Sequence, residues 1–173
     1  MGAVPGESRA KIMTDLTIRQ IWKHLEDVKD PEIPVVSVVE MGIVREVALE
    51  GAKVIVRMTP TFSGCPALHA MQADIRRHLL ACGAPEVQVV VQLSPAWTSD
   101  WITPQARQKL RAFGLAPPAR LDGRIALADL QEATCPQCGS PDTSLKNSFG
   151  PTLCRAIYVC NSCRQPFEQF KPI

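Results

Sequence analysis

The chain has 173 residues, of which 46% are hydrophobic and 21% charged, and its formal net charge is +2. This composition is typical of a soluble globular protein, and the length suffices for one ordinary domain with a small appendage. The near balance of charge argues against a nucleic-acid partner, and no apolar run reaches the roughly 20 residues that a membrane-spanning helix needs.

The N-terminus lacks the apolar block of a signal peptide, and residues 1–13 are predicted to be a disordered tail. The protein is therefore expected to be cytoplasmic, where thiols stay reduced and paired cysteines usually bind metal. A first helix is predicted to begin with Thr14 or Asp15 as its N-cap, because apolar residues then recur at helical spacing. Asp30 is predicted to end this helix, since the residue before Pro31 avoids the α region.

After Pro34, the run 35–39 is predicted to be extended. Two strands are predicted next, over residues 43–49 and 53–58, joined by a turn that contains Gly51. Apolar and polar residues alternate in the first of them. This pattern indicates a sheet whose faces are both partly covered.

A second helix is predicted from about Cys65 to Ala81, with Gly83 well placed to end it. The run 86–93 follows as a further strand. The order helix, strand, strand, helix, strand predicts an α+β fold over residues 14–93, in which two helices pack on a small mixed sheet.

Residues 94–132 are predicted to be a bridge rich in tryptophan and proline. Thr103 and Pro104 suit the N-cap and the first position of a helix in this bridge. Trp97 and Trp101 have two interpretations: they pack the bridge onto the first domain, or they present a docking surface to a partner protein.

Four cysteines near the C-terminus form two C-x2-C pairs, which are Cys135 with Cys138 and Cys160 with Cys163. Each pair aims two thiolates at one point, and two such pairs close a tetrahedron around Zn²⁺. Residues 133–173 are therefore predicted to be a C-terminal zinc ribbon, for which metal binding supplies the folding free energy. Two disulfides are the alternative, which does not suit a reducing compartment, and iron could occupy the same four thiolates.

Cys65 is predicted to be an exposed thiolate, because the unpaired N–H groups and the dipole of a helix N-terminus lower the pKa of a thiol. It could serve as a nucleophile, a metal ligand or a transfer site, or it could be a small buried residue. His69 could join it at a metal or be a surface histidine. Asp30 and Glu32 could approach Cys65 on their loop, or could serve the helix end and the turn there.

Two further cysteines are interpreted more simply. Cys82 is interpreted as a buried thiol, and Cys154 as a structural thiol or an additional ligand of the ribbon. A hydrolase acting through Cys65 lacks support, because neither His24 nor His78 lies in a recognisable partner motif.

Three stretches of the first domain resemble the iron–sulfur assembly domain of cytosolic and Suf-type maturation factors. They are Asp30-Pro31-Glu32-Ile33-Pro34, Met41-Gly42-Ile43-Val44 and the segment from Thr59 to Pro66. In that family the acidic loop, a threonine after the second strand and the Cys-Pro cysteine cluster at one surface. The resemblance implies Cys65, Thr59, Asp30 and Glu32 as candidate residues for cluster or iron transfer.

The run Ser94-Pro95-Ala96-Trp97-Thr98-Ser99-Asp100-Trp101, the four ribbon cysteines and the ending 166–171 resemble the D subunits of bacterial phenylacetyl-CoA epoxidases. That family fuses an assembly-type domain to a zinc ribbon, and the resemblance covers about residues 14–173. One departure is Pro172, which stands where relatives tend to have a cysteine. Any metal or redox role of that cysteine cannot apply here.

The resemblance implies an accessory or maturation factor for ring 1,2-epoxidation in aerobic phenylacetate catabolism, with the oxygenase and reductase subunits as partners. Cys65 would hold iron or a transient iron–sulfur cluster, in a homodimer or with a partner, since one cysteine cannot hold a cluster alone. The ribbon would hold structural Zn²⁺. The alternative is a non-catalytic structural subunit of the epoxidase, whose ribbon serves for docking.

The chain is not expected to perform the oxidation itself. It lacks the paired Glu-x-x-His motifs that diiron oxygenases carry on bundle helices. It also lacks a G-x-G-x-x-G loop for a flavin or nicotinamide cofactor.

Overall fold

The computed structural model of the protein describes residues 16–121 and 133–173. The predicted tail, 1–13, and part of the predicted bridge, 122–132, lie outside the described residues. No helix within the two described ranges is long and apolar enough to cross a bilayer. The elements are α1 (Ile18–Leu25), β1 (Val44–Glu50), β2 (Lys53–Met58), α2 (Leu68–Ala81), β3 (Glu86–Val91), a 3₁₀ turn (Ser99–Trp101), α3 (Pro104–Phe113), β4 (Leu115–Ala116), β5 (Thr143–Asn147), β6 (Arg155–Cys160) and β7 (Pro166–Phe170).

The first sheet has the order β1-β2-β3 and is mixed. β1 and β2 are antiparallel neighbours, whereas β3 runs parallel to β2 and α2 makes the crossover between them. Helix α2 packs on β3 and α1, and α1 also contacts β1. The predicted α+β fold, with two helices on a small mixed sheet, is confirmed. Its core contains the buried side chains of Ile21, Leu25, Val54, Val56, Met58, Met71, Ile75 and Leu79.

The N-cap of α1 differs from the prediction. Thr17 caps the helix: its hydroxyl accepts from the N–H of Gln20, and Gln20 Oε1 accepts from the N–H of Thr17 at 2.9 Å. This reciprocal capping box outweighs the apolar spacing further upstream. The predicted caps, Thr14 and Asp15, lie outside the described residues. The helix also ends at Leu25, before the predicted Asp30.

The predicted extended run 35–39 is wrong, because this segment consists of turns and bends around one isolated antiparallel bridge, Lys29 with Ser37. The hydrogen bonds of this bridge join the N–H of Asp30 to the carbonyl of Val36 and the N–H of Val38 to the carbonyl of Val28, both at 3.0 Å. Val36 and Val38 are buried, whereas Val35 and Val39 are half-buried, so burial outside a strand accounts for part of the apolar run.

Helix α2 begins at Leu68, later than the predicted Cys65. Pro66 disfavours the α conformation at Cys65, and Ala67 at the N-cap has no side chain that could cap the helix. Cys65 instead lies in a turn, in which its N–H donates to the carbonyl of Phe62. The thiol therefore precedes the helix and does not occupy its first position.

The bridge is packed onto the first domain. This agrees with the first of the two interpretations of Trp97 and Trp101. Trp97 is buried and its indole N–H donates to the carbonyl of Met41 at 3.0 Å. The guanidinium of Arg45 lies over the ring of Trp101, 3.5 Å from its centroid. Helix α3 follows with Thr103 as N-cap and Pro104 as its first residue, as predicted.

The second sheet has the order β4-β7-β6-β5 and forms the ribbon. Its strand β4 comes from the bridge and runs parallel to β7. Cys154 and Phe170 of the ribbon belong to the same hydrophobic core as the first domain, and the rings of Phe170 and Trp97 have centroids 5.7 Å apart. The ribbon is thus packed on the first domain through apolar side chains.

Candidate functional site

The two C-x2-C turns bring four thiols together. In each turn the fifth residue has a positive φ, +77° at Gly139 and +64° at Arg164, and its N–H donates to the carbonyl of the first cysteine. The sulfur atoms all lie within 4.8 Å of one another. We call this group the ribbon cluster; it consists of Cys135, Cys138, Cys160 and Cys163.

The spacing of the sulfur atoms fits a tetrahedral metal. Cys135 Sγ lies 3.7 Å from Cys163 Sγ, and Cys138 Sγ lies 3.5 Å from Cys160 Sγ. A tetrahedron with Zn–S bonds of about 2.3 Å has edges of about 3.8 Å. The distances exclude disulfides between these pairs, since an S–S bond measures about 2.05 Å. All four ribbon cysteines are free thiols in the structure, so the alternative of two disulfides is not realised in any pairing.

Hydrogen bonds hold the two turns of the ribbon cluster in place. The N–H of Cys163 donates to Cys160 Sγ at 3.4 Å, and this bond is the largest of several hydrogen bonds that lower the pKa of Cys160 to about 6. Burial and the neighbouring thiols raise the pKa of Cys163 to about 12, so the group shares protons rather than carrying four thiolates. Asn161 Nδ2 donates to Asp142 Oδ1 at 2.7 Å, which links the segment after the first turn to the second turn. The ribbon cluster can hold a metal, because metal ions bind the thiolate form of cysteine and the low pKa of Cys160 favours this form.

Cys65 lies where the ribbon meets the first domain. Its turn and the segment just before β6 border a space of about 10 Å³, which we call the junction cleft. That volume corresponds to roughly one water molecule or single ion. The cleft is lined by Glu32, Thr61, Phe62, Gly64, Cys65, Pro66, Thr152, Leu153 and Cys154.

The predicted low pKa of Cys65 is wrong. Burial of the half-buried thiol raises its pKa, and the negative charges of Asp30 and Glu32 raise it further. The N–H of Ala67 and the hydroxyl of Thr61 act in the opposite direction and do not offset these effects. The physical reason is the late start of α2, which leaves Cys65 outside the first turn of the helix.

The other candidate residues for transfer divide into two groups. Glu32 lines the junction cleft, whereas Thr59 does not, although its buried Oγ1 has no hydrogen-bond partner among the described residues. Asp30 is buried and its Oδ1 accepts from the N–H groups of Glu32 at 2.8 Å and of Ile33 at 3.1 Å. Burial raises the pKa of Asp30. Its carboxylate thus shapes the loop that carries Glu32.

His69 is exposed and belongs to none of the metal-ligating clusters found in residues 16–121 and 133–173. Cys154 also belongs to none of these clusters, so the structure places it outside the ribbon cluster.

Cys154 is the residue that the sequence patterns did not assign to the Cys65 site. It is buried beside the junction cleft, and its Sγ lies 3.1 Å from the hydroxyl of Thr152. Burial raises the pKa of Cys154, and the charges of Glu32 and Cys65 add to this rise. No local motif could reveal that Cys154 and Cys65 line the same cleft, because this depends on the packing of the ribbon on the first domain.

A third group of side chains, His24, His78 and Cys82, also comes together in the structure. Their ligand atoms lie within 4.8 Å of one another, and all three residues are half-buried. No local motif indicates this group, because His24 lies on α1 whereas the other two residues lie at the end of α2. Cys82, predicted to be a buried thiol, is half-buried.

Two family models match the chain. Residues 18–93 match a family described as iron-sulfur cluster assembly protein. Residues 122–171 match the PaaD zinc beta ribbon domain.

Individual proteins match as well. A protein of Escherichia coli (strain K12), provisionally named as the D subunit of 1,2-phenylacetyl-CoA epoxidase, is 46% identical over 157 residues, which cover 90% of this chain and 93% of that protein. The Fe-S protein maturation auxiliary factor of Porphyromonas gingivalis is 33% identical over 54% of this chain and 90% of its own. The crystal structure of a domain of unknown function, DUF59, from Bacillus anthracis is 29% identical, with a TM-score of 0.49 over 53% of this chain and 89% of that chain.

Proposed function

The chain belongs to the family of the D subunit of 1,2-phenylacetyl-CoA epoxidase, and on this premise we propose that it is a maturation factor of that epoxidase system, which carries iron to a partner subunit. The observation that carries the proposal is the junction cleft, where Cys65 and Cys154 face one small space together with Glu32. Two thiols and a carboxylate are suitable ligands for a transition metal. These three are not among the groups of described residues whose ligand atoms already lie within 4.8 Å of one another, so metal binding would require their side chains to move closer together.

The size of the junction cleft favours a single iron ion as the cargo. Its volume of about 10 Å³ is roughly that of one water-sized particle, so the space that is present has room for a single ion. A cluster would require the cleft to open, for example when a recipient docks. We therefore expect the isolated chain to take up ferrous ion first, and a cluster to form only together with the recipient.

Both thiols have a hydroxyl beside them, Thr61 at Cys65 and Thr152 at Cys154. Hydrogen bonds to the sulfur atoms are a general means of orienting and tuning metal thiolates. Because the pKa of each thiol is raised, the metal-free site is protonated and uncharged at sulfur, and binding of the metal releases protons. Proton competition then keeps the metal exchangeable, which suits a carrier.

The second thiol also bears on the oligomeric state. A single cysteine would need a second copy of the chain or a partner to hold iron, and Cys154 supplies this second ligand within one chain. The oxygenase or reductase subunit would provide the remaining ligands as it receives the metal. A homodimer is not required by this site.

We assign the ribbon cluster a structural Zn²⁺. Zinc favours closed four-thiolate sites with tetrahedral geometry, and the sulfur spacing of the cluster fits one. Such an ion would hold β5, β6 and β7 in place and thereby position Cys154.

The test compares wild type with Cys65→Ser and Cys154→Ser, and takes Ser63→Ala, an exposed change in the same turn, as the matched control. Protein purified without oxygen is loaded with one zinc per chain and titrated with Fe²⁺. Wild type and the control are expected to bind one ferrous ion, and each cysteine variant is expected to lose most of this affinity while its zinc content stays unchanged.

The same variants are then produced together with the oxygenase and reductase subunits. The iron content of the recipient is expected to fall in both cysteine variants. Unchanged iron content and unchanged epoxidase activity with Cys65→Ser would refute the carrier role. Stoichiometric copurification with the fully metallated oxygenase would then favour the structural subunit.

A further inference from the structure

The group of His24, His78 and Cys82 has the arrangement of a metal site. His78 and Cys82 are four residues apart at the end of α2 and therefore lie on one face of that helix. His24 lies in the last turn of α1, which packs on α2. The three ligand atoms come from two helices and lie within 4.8 Å of one another. None of the three belongs to the ribbon cluster or to the junction cleft.

One buried nitrogen of this group lacks a hydrogen-bond partner among the described residues. His78 Nε2 is inaccessible to water and has no hydrogen-bond partner among the described residues. A buried ring nitrogen without a partner is unfavourable, because folding removes its hydrogen bond to water. His24 does not relieve it, although the two rings meet edge to face with centroids 6.2 Å apart. A metal ion at this point would use the nitrogen as a ligand.

The donor set indicates the class of ion. Two imidazoles and one thiolate are ligands that Zn²⁺ and related borderline-soft ions favour, and sites with three protein ligands keep a fourth position open. Tetrahedral coordination by nitrogen and sulfur at about 2.0–2.3 Å places neighbouring ligand atoms about 3.3–3.6 Å apart. The group lies within 4.8 Å already, so small side-chain rotations would suffice.

The surroundings of the site include a groove that is open to solvent. His78 also lines a surface groove of about 320 Å³ between the loop at Asp30 and helix α2. The groove carries charges of both signs, from Asp27, Asp30, Asp74, Lys29 and Arg77. Arg77 is paired with Asp74 at 2.7 Å. His78 borders the groove, but its Nε2 is buried, so an ion would reach this atom only after a rotation of the imidazole.

We propose that His24, His78 and Cys82 bind one divalent transition-metal ion of the zinc type, with a fourth position open to water or an added ligand. The ion would tie the end of α1 to the end of α2. The site is independent of the proposed iron carrier, because it uses other residues.

The test measures metal stoichiometry on the full chain with its ribbon zinc in place. Wild type, Cys82→Ser and His24→Gln are titrated with Zn²⁺ by calorimetry and with Co²⁺ followed by visible absorption. His69→Gln serves as the matched control, because His69 is exposed and belongs to no metal-ligating group of the described residues. Wild type and His69→Gln are expected to bind one more ion than the other two variants, and their thiolate charge-transfer band with Co²⁺ is expected to be stronger than that of Cys82→Ser.

Circular dichroism and ribbon zinc content verify that each variant is folded. If Cys82→Ser does not fold, the comparison of wild type with His24→Gln tests the proposal. The proposal is overturned if all variants bind the same number of ions, or if wild type binds the extra ion only above millimolar concentration. It is also overturned if Cys82→Ser keeps the full thiolate charge-transfer band of wild type, which would place the ion at other thiols. Failure of the iron-carrier role leaves the result of this titration unchanged.

Discussion

Cys65 is a half-buried thiol between two acidic side chains and a second thiol. Burial and the charges of Asp30 and Glu32 all favour its neutral form, which makes it a poor free nucleophile at neutral pH. The same carboxylates would favour a bound cation. The charge environment of Cys65 is therefore better suited to holding a metal than to attacking a substrate.

Replacement of Glu32 by Gln is expected to make Cys65 more reactive. Removal of a negative charge that raises the pKa of the thiol should lower this pKa, so the thiolate fraction at a given pH below it rises several-fold. The measurement is the pH profile of alkylation by iodoacetamide, followed by mass spectrometry on the tryptic peptide 58–76, whose only cysteine is Cys65.

Glu46→Gln is the matched control for this prediction. Glu46 pairs with Arg57 on the sheet and has no part in the pKa shift of Cys65, so its profile should coincide with that of wild type. An alkylation profile of Glu32→Gln that is not displaced to lower pH would contradict the electrostatic account of Cys65.

At the scale of the elements, short-range signals in the sequence predicted the structure well. Thr103 and Pro104 begin α3, and Gly83 ends α2 with a φ of +97°, because these positions depend on backbone groups within a few residues. Other predictions failed, either because burial shaped an apolar segment or because a local signal was missed. The run 35–39 places Val36 and Val38 in the core without forming a strand, whereas Cys65 is held in a turn by the proline that follows it.

One element boundary requires glycine for two reasons at once. Gly42 has a φ of +66°, and a Cβ at this position would lie 2.6 Å from Cβ and 2.8 Å from the carbonyl oxygen of Trp101. The turn before β1 and the bridge therefore touch through a glycine. No sequence pattern in either segment indicates this contact, because it joins residues far apart in the chain.

Gly42→Ala is expected to destabilise the protein by about 2–5 kcal/mol, from the left-handed backbone and from the clash with backbone atoms of Trp101. Gly83→Ala is the matched control, since its φ is also positive and nothing lies within 4 Å of the added Cβ. It should cost only about 1–2 kcal/mol. Urea denaturation of both variants measures the difference, and equal losses would show that the contact with Trp101 can relax freely.

At the scale of the whole molecule, the candidate site exists because two modules are packed together. Arg155 Nη2 of the ribbon donates to the carbonyl of Glu32 at 3.1 Å, and Arg155 Nη1 also pairs with Glu168 at 2.9 Å. The ribbon cluster could be predicted from spacing alone, since its ligands lie in two local turns. The approach of Cys154 to Cys65 could not, because it depends on this packing and on the shared core.

Removal of zinc from the ribbon cluster is therefore expected to alter the junction cleft as well. Without the metal the ribbon loses the ion that is expected to supply its folding free energy, and β5, β6 and β7 should loosen. Cys154 and Phe170 would then leave the common core, and the ring of Trp97 would lose its contact with Phe170. Chelation should expose Cys154 to alkylation and shift the tryptophan emission to longer wavelength.

The tryptic peptide 147–155 isolates this response, because Cys154 is its only cysteine and the freed ribbon thiols lie on other peptides. Zinc returned after chelation should restore the protection of Cys154, which serves as the control for irreversible damage. Protection that persists in fully zinc-depleted protein would mean that apolar packing alone holds the ribbon on the first domain. In that case the ribbon metal does not position Cys154, and the two thiol sites are energetically independent.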